Sequence, residues 1–186
     1  MALIPYPDLD ALDPEVGAFM RRIDPMINVF HMMAHAETAV RPFMRLGNAL
    51  LFKGELDDVL REIVILRVGH VTGSGYEVHQ HKIVGRNCGM TEAQIEAVPE
   101  GAASDVFDDT QKLALRVTDE VLAGVRMRPE TFEAAKAAFA HRQLVELLLT
   151  VGFYAMIAGL LENLEVEIEP EGLVDNPLKQ AKPSGG

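Results

Sequence analysis

The sequence is short of cysteine, tryptophan and positive charge. Its 186 residues include one cysteine, Cys88, and no tryptophan, and 17 Lys and Arg stand against 28 Asp and Glu. A single cysteine excludes an intramolecular disulfide framework and a CxxC redox pair, which favours a reducing compartment. The formal charge of -11 disfavours nucleic acid and anionic membranes as partners, because both are bound by clustered Lys and Arg. An acidic substrate would need a locally positive pocket.

Targeting signals and long apolar runs are also missing. The first basic residue is Arg21, and no apolar segment follows a charged region as it does in a secretory signal. No uncharged apolar run reaches the roughly 18 residues that a transmembrane helix needs. The sequence also lacks a phosphate-binding glycine loop and a GxSxG elbow. We therefore expect a cytoplasmic globular protein.

The hydrophobic pattern predicts an all-α fold of about seven or eight helices in a single domain, residues 1–186. Residues 1–12 are predicted to form an N-terminal arm, and residues 169–186, rich in proline and glycine, a C-terminal tail. Only the short stretch LEVEIE alternates with the period of a strand. The main helices are predicted from Pro14, over 25–52 with a break near 37–42, from Leu56, over 75–86, after Thr91, up to Gly124, from about Pro129, and over 142–168.

The predicted helix 142–168 has almost no polar face. Such a helix lies at the centre of a core or is shared with another subunit. In a chain of this size a subunit interface is the favoured interpretation, so we expect a homo-oligomer.

The stretch TGSGYEVHQHKIVGRNCGM concentrates the polar groups with catalytic potential. Glu77 and His81 are four residues apart and share a helix face. Ser74 lies three residues before Glu77, where the two side chains could instead form a capping box. Glu62 lies among apolar residues of the preceding helix, where burial would raise its pKa unless it is exposed or paired with an arginine.

A metal site is not predicted. His79 is two residues from His81 and lies on another side of the helix, so the two make a poor chelate. No second cluster of Cys, His or acidic residues has the spacing of zinc ligands. Tyr154 is interpreted as a core residue, and Cys88 has no activating base near it in the sequence.

The segment LREIVILRVGHVTGSGYEVHQHKIVGRNCGMTEAQIEAV resembles the core of the carboxymuconolactone decarboxylase family, which also contains the alkylhydroperoxidase D-type peroxidases. NVFHMMAHAETAVRPFMRLGNALL is similar to the leading helices of its longer members. DTQKLALRVTDEVL and ELLLTVGFYAMIAGLLENLEVE are similar to their later helices. The resemblance covers residues 26–168. It implies an alkylhydroperoxidase D-like helical bundle that assembles into homotrimers or homohexamers.

The peroxidase branch of this family uses a glutamate, a CxxC pair and a histidine as a proton relay to a thiol. In this chain the glutamate falls on Glu62 and the histidine on His81, whereas the cysteine positions fall on Ser74 and Glu77. Without a thiolate there is no nucleophile for a peroxide. The resemblance therefore implies the branch that lacks the CxxC pair.

That branch implies a lyase of aromatic compound breakdown that needs no cofactor. It removes carbon dioxide from a small unsaturated carboxylated lactone, whose conjugated carbonyl accepts the released electrons. The resemblance implies His81, Glu77 and Glu62 as catalytic residues, with His81 as the proton donor. It implies Ser74 and Tyr76 as substrate-binding donors to a carbonyl oxygen.

Two points stay open at the level of sequence. Arg67, Lys82 and Arg86 are all candidates to anchor a substrate carboxylate. The same acid-base groups would also suit an isomerase, a hydratase or a lactone hydrolase, and a non-catalytic oligomer that binds a small molecule is a further alternative.

Overall fold

The structure, a computed structural model, describes residues 1–170, and every regular element within them is a helix. The prediction of an all-α fold is confirmed. The described part has nine α-helices, slightly more than predicted, because three of them are only six or seven residues long. They are α1 (Pro14–Met20), α2 (Asn28–Met33), α3 (Glu37–Phe52), α4 (Asp58–Thr72), α5 (Gly75–Cys88), α6 (Glu92–Ala97), α7 (Asp109–Gly124), α8 (Pro129–Ala138) and α9 (His141–Leu164), with a 3₁₀ helix at Val98–Ala103 after α6. The predicted C-terminal tail lies outside the described residues from residue 171 onward.

Helix α4 lies at the centre of the fold. It packs against α5, α7 and α9, and Ile63, Val64, Ile65 and Leu66 have no exposed surface. Four consecutive buried residues mean that α4 is covered on all sides, as its apolar sequence predicted. Glu62 lies in the same helix and is also fully buried. Its carboxylate therefore depends on polar neighbours within the protein.

The connection between α4 and α5 sets the geometry of the site. Gly73 ends α4 with a φ of 75°, a left-handed conformation that glycine adopts without steric cost. One turn earlier, a Cβ on Gly69 would lie 3.0 Å from Cγ2 of Val78, so the absent side chain lets α5 approach α4 closely. This close antiparallel pair brings side chains of the two helices together inside the protein.

The predicted break near residues 37–42 is wrong. Helix α3 runs through Pro42, and the interruption lies at residues 34–36, between α2 and α3. Val40 and Phe43 are buried on either side of the proline. Burial of this apolar face outweighs the backbone hydrogen bond that proline cannot donate.

Helix α9 ends at Leu164 rather than at 168, because Glu165 adopts a left-handed conformation with a φ of 49°. Residues 165–170, here called the C-terminal strap, are irregular, so the alternating LEVEIE segment is not a strand. The N-terminal arm contacts both the end of α9 and the strap: the Leu3 amide donates to the Leu164 carbonyl at 2.9 Å, and the Tyr6 hydroxyl donates to Glu167 Oε2 at 2.9 Å.

Helix α9 is long and apolar enough to cross a membrane by length and composition, and half of its most apolar window is buried against the rest of the protein. A central helix of a soluble protein has the same properties. The other face of α9 carries a line of exposed apolar or small residues at alternating spacings of four and three, here called the apolar stripe. Its members are Val145, Leu149, Gly152, Met156 and Gly159.

Candidate active site

Glu62, Glu77 and His81 converge in a buried cluster between α4 and α5. The His81 Nδ1–H donates to Glu62 Oε2 at 2.7 Å. His81 Nε2 lies 3.6 Å from Glu77 Oε2, which is too long for a hydrogen bond but short enough for a strong charge interaction. None of the three residues is more than 6% exposed. The structure thus brings together the three residues that the sequence singled out as catalytic.

Arg61 fixes the orientation of this cluster. Its Nε donates to Glu62 Oε1 at 3.0 Å, and its Nη1 donates to Asp58 Oδ1 at 2.5 Å. An ionised carboxylate only accepts hydrogen bonds, so Glu62 holds the proton of His81 on Nδ1. Nε2 is then the nitrogen of His81 that remains free to exchange a proton.

A cavity of about 260 Å³ lies beside the cluster. Four residues of α5 form its polar wall: Tyr76, Glu77, Gln80 and His81. Glu62 does not line the cavity, but it is hydrogen-bonded to His81, which does. The other lining residues are mostly apolar and come from α2, α3, α5, α9 and the segment before α2: Arg22, Ile23, Asp24, Pro25, Ile27, Val29, Phe30, Phe43, Met44, Gly47, Asn48, Leu51, Phe52, Val84, Phe153, Tyr154 and Ile157.

The surroundings raise the pKa of both Glu77 and His81. Burial raises the pKa of Glu77 to about 7, although the neighbouring charge of His81 opposes the shift. Burial alone would lower the pKa of His81, but the charge and hydrogen bond of Glu62, with the charge of Glu77, outweigh it and raise that pKa. Glu77 therefore holds or releases a proton near neutral pH, and the two neighbouring groups titrate as a coupled unit.

The stability of the protein should fall as the pH rises from about 4.5 to about 7. The folded state keeps a proton on Glu77 that the unfolded state has lost, so this stabilisation is complete below the unfolded pKa and disappears through the folded pKa. The raised pKa of His81 acts in the same direction. Urea denaturation at pH 5 and pH 8 measures the effect. Between these two pH values the free energy of unfolding of Glu77→Gln should fall less than that of the wild type, by a difference on the order of 3 kcal/mol. Equal losses in both proteins would mean that ionising Glu77 costs nothing in the fold.

The structure places the two predicted substrate-binding residues differently from the prediction. Ser74 is the N-cap residue of α5, but its side chain makes no capping hydrogen bond, so the alternative of a capping box with Glu77 is wrong. Its Oγ is buried without a partner, and Ser74 is not among the cavity-lining residues. Tyr76 does line the cavity. Its hydroxyl, however, donates to Glu169 Oε1 at 2.6 Å and accepts from the Val29 amide at 3.3 Å. Neither hydroxyl is thus placed to bind a carbonyl oxygen of a substrate.

The three basic residues considered as carboxylate anchors lie elsewhere. Arg67 binds Asp119, Arg86 binds Glu92, and neither they nor Lys82 line the cavity. The basic residue at the cavity is instead the exposed Arg22. Nothing in the sequence distinguished it from other surface arginines.

The only cysteine of the chain is not in the cavity. The sulfur of Cys88 is 3.6 Å from Nη2 of Arg61, which donates to it. Burial, followed by the charge of Glu62, raises the pKa of this thiol, which is the opposite of what a reactive thiolate needs.

Residues 1–170 contain no group of three or more His, Cys, Asp or Glu placed to hold a metal ion. His79 is exposed and points away from His81, as the helix geometry predicted.

Sequence reasoning missed several residues of the site. Gln80 lies three residues from Glu77, and this helical spacing was a signal for it. The Tyr154 ring packs edge-on against the His81 ring, with 4.9 Å between centroids, so a residue interpreted as core also shapes the site. Glu169 belongs to the predicted tail, and nothing in the sequence pointed to its buried position.

Comparison with known proteins agrees with this fold. Residues 37–120 match the Carboxymuconolactone decarboxylase family. No curated protein matches the sequence. The fold is similar to an alkylhydroperoxidase AhpD core, a peroxidase-related protein of Ralstonia eutropha JMP134, with 18% identity over 93% of this chain and 95% of that one and a TM-score of 0.79.

Two further solved structures share the fold. A peroxidase-related protein of Silicibacter sp. TM1040 has 16% identity over 91% of each chain and a TM-score of 0.76. A cysteine-to-alanine variant of the debrominase Bmp8, in complex with 2,3,4-tribromopyrrole, has 14% identity over 98% of this chain and 100% of that one and a TM-score of 0.71. Residues 37–120 are thus similar to the Carboxymuconolactone decarboxylase family, and the chain shares the fold of AhpD-like proteins.

Proposed function

We propose that the protein is a cytoplasmic, cofactor-free enzyme similar to carboxymuconolactone decarboxylase, which removes carbon dioxide from a small unsaturated carboxylated lactone or a related acid. One observation carries the proposal: Glu77 and His81 line an apolar cavity, 3.6 Å apart and without a hydrogen bond between them. A carboxyl group that titrates near neutral pH thus lies beside an imidazole in the wall of the cavity.

The residues of the site suit each step of a decarboxylation. The bond between the carboxylate and the ring breaks, carbon dioxide leaves, and the electron pair moves into the conjugated carbonyl to give an enolate. A proton from neutral Glu77 or from the His81 imidazolium then forms the new C–H bond, and water later restores that proton. Glu62 stabilises the positive charge on His81 through the 2.7 Å hydrogen bond.

The shape and polarity of the cavity support a small, partly apolar substrate. Its volume of about 260 Å³ is slightly below the roughly 300–1,000 Å³ range of ligand pockets. Phe43 and Phe153 stack within its wall, with 5.0 Å between ring centroids. Arg22 is the positive group available to attract a carboxylate. The debrominase with the same fold binds a small planar ring, which supports a ligand of this size class.

Decarboxylase activity is tested by incubating the protein with a panel of unsaturated carboxylated lactones while measuring carbon dioxide and the remaining substrate. Stoichiometric release of carbon dioxide supports the proposal. Conversion without carbon dioxide, with isomerised, hydrated or ring-opened products in the NMR spectrum, would instead indicate an isomerase, hydratase or lactone hydrolase on the same residues. Binding without conversion of any compound would indicate a non-catalytic binding protein.

Cys88→Ser should leave this activity unchanged, within about twofold, because the sulfur lies outside the cavity and serine preserves an acceptor for Arg61. The wild type should also show no reduction of hydrogen peroxide in the presence of a dithiol. Both are measured by standard steady-state assays. Thiol-dependent peroxide reduction that disappears in Cys88→Ser would contradict the assignment to the branch without the CxxC pair.

We also propose that the apolar stripe of α9 is the interface of a homo-oligomer, a trimer or a hexamer. Val145, Leu149 and Met156 are each about half exposed, which is unusual for large apolar side chains that share one helix face. The glycines between them allow another helix to approach closely.

Met156→Glu should dissociate this assembly, since it places a charge in the middle of the buried contact. Light scattering after size-exclusion chromatography measures the mass. Phe132→Glu is the matched control, because Phe132 is 42% exposed on α8, outside the stripe, and it should leave the mass unchanged. A monomeric wild type, or a Met156→Glu variant that stays assembled, would contradict the proposal.

A further inference from the structure

Gln80 is held in the cavity wall by the C-terminal strap. Its side chain is 5% exposed and lines the cavity. Its Nε2 donates a very short hydrogen bond to Glu169 Oε2, whereas its Oε1 is buried and has no partner. One end of the amide is thus bound to the protein and the other end is not.

The orientation of this amide follows from the chemistry of its partner. A carboxylate only accepts hydrogen bonds, so Gln80 must direct its NH₂ group toward Glu169 and keep its carbonyl oxygen as the free end. The carboxylate of Glu169 cannot easily rotate, because its Oε1 accepts hydrogen bonds from the Tyr76 hydroxyl at 2.6 Å and from the backbone N–H of Asn28 at 2.5 Å. The strap itself is tied down by the Glu167 carbonyl, which accepts from Asn28 Nδ2 at 2.8 Å.

A buried acceptor without a partner is costly, and the cost disappears when a ligand supplies a donor. Glu77 Oε2, on the same helix wall, is also buried without a hydrogen bond. A neutral Glu77 carries one hydrogen-bond donor, whereas Gln80 Oε1 can only accept. A ligand that carries only acceptors, such as a carboxylate with a lactone carbonyl, would leave Gln80 Oε1 unsatisfied.

We propose that Gln80, oriented by Glu169, is a specificity-determining residue whose Oε1 accepts a hydrogen bond from a hydroxyl or ring N–H of the substrate. The substrate class narrows accordingly to small carboxylated rings that also carry such a donor. The inference rests on the proposed function only in that the cavity binds a small ring acid, and it holds whether or not the reaction is a decarboxylation.

The test compares two nearly isosteric ligands, 4-hydroxybenzoate and 4-fluorobenzoate, of which only the first carries a donor. Isothermal titration calorimetry on the full chain should show that the wild type binds the hydroxyl compound about tenfold more tightly, the usual size of one hydrogen bond to a buried group. Gln80→Met, which keeps the length of the side chain, should bind both equally. Glu169→Gln should reduce the preference for the hydroxyl compound, because an amide at position 169 can both donate and accept and no longer fixes the orientation of the Gln80 side-chain amide.

Asn87→Leu is the matched control. Asn87 presents an exposed amide on the same helix, α5, outside the cavity, so this variant should keep the wild-type preference. Equal binding of the two ligands by the wild type would overturn the inference, and so would a preference that survives in Gln80→Met. An undiminished preference in Glu169→Gln would overturn the orienting role of Glu169. If neither ligand binds, both the inference and the proposal that the cavity binds small acids are contradicted. If both ligands bind equally and the protein still releases carbon dioxide from a lactone, only the inference about Gln80 is contradicted.

Discussion

Glu77→Gln should lower kcat/KM for decarboxylation of the substrate by about 10²–10⁴-fold, the usual contribution of a general acid or base. The amide has the same size as the acid but cannot release a proton, and it also removes the negative charge 3.6 Å from His81 Nε2. The measurement is the rate of carbon dioxide release as a function of substrate concentration. The wild-type profile of kcat/KM against pH should show a transition near pH 7, where Glu77 titrates, and this transition should be absent or displaced in the variant.

Glu92→Gln is a suitable control for this experiment. Glu92 lies on α6, pairs with Arg86 and is exposed, so the same chemical change there should leave kcat/KM within about twofold, as for most surface substitutions. Full activity in Glu77→Gln would show that the proton donor is another group and that Glu77 only lines the cavity.

Glu62→Leu should destabilise the protein by about 3–5 kcal/mol, the usual cost of breaking a buried ion pair. Glu62 is fully buried and joins Arg61 to His81. Its removal leaves a guanidinium that is 4% exposed, and the exposed Asp58 is then the remaining ion-pair partner of Arg61. Urea denaturation at pH 7 gives the free energy of unfolding.

Glu62→Gln separates the charge of Glu62 from its shape. It should unfold at a urea concentration closer to that of the wild type, because the amide oxygen still accepts a hydrogen bond from Arg61 or His81. In this variant the pKa of His81 should be lower than in the wild type, because the charge of Glu62 that raises it is gone. The 1H–15N NMR shifts of the imidazole would report the change. A loss of less than 1 kcal/mol in Glu62→Leu would show that the ion pair contributes little.

Local patterns were the part of the fold that could be predicted from the sequence. The four-residue spacing of Glu77 and His81 and the left-handed glycine that ends α5 follow from one helix alone. The contact between Glu62 and His81 needed the packing of α4 on α5, and only the family resemblance suggested it. Pro42 misled the prediction of a helix break, because burial of its neighbours decides the outcome and burial is a property of the tertiary structure.

The missed parts of the site depend on contacts between distant segments. Arg22 reaches the cavity from an irregular segment. Glu169 accepts a hydrogen bond from Tyr76, which is 93 residues away in the sequence. No periodicity or short motif encodes such contacts. The capping role of Ser74 could not be decided from the sequence for a related reason. Its side chain is buried and makes no hydrogen bond to the first turn of α5.

The titration of Glu77 near neutral pH also has a calorimetric consequence. Because the pKa of Glu77 is about 7, a neutral solution contains comparable populations of the acid and its conjugate base at this position. A ligand that prefers one of them must draw a proton from the buffer or return one to it. The apparent heat of binding should then vary linearly with the ionisation enthalpy of the buffer, and the slope of that line counts the protons exchanged.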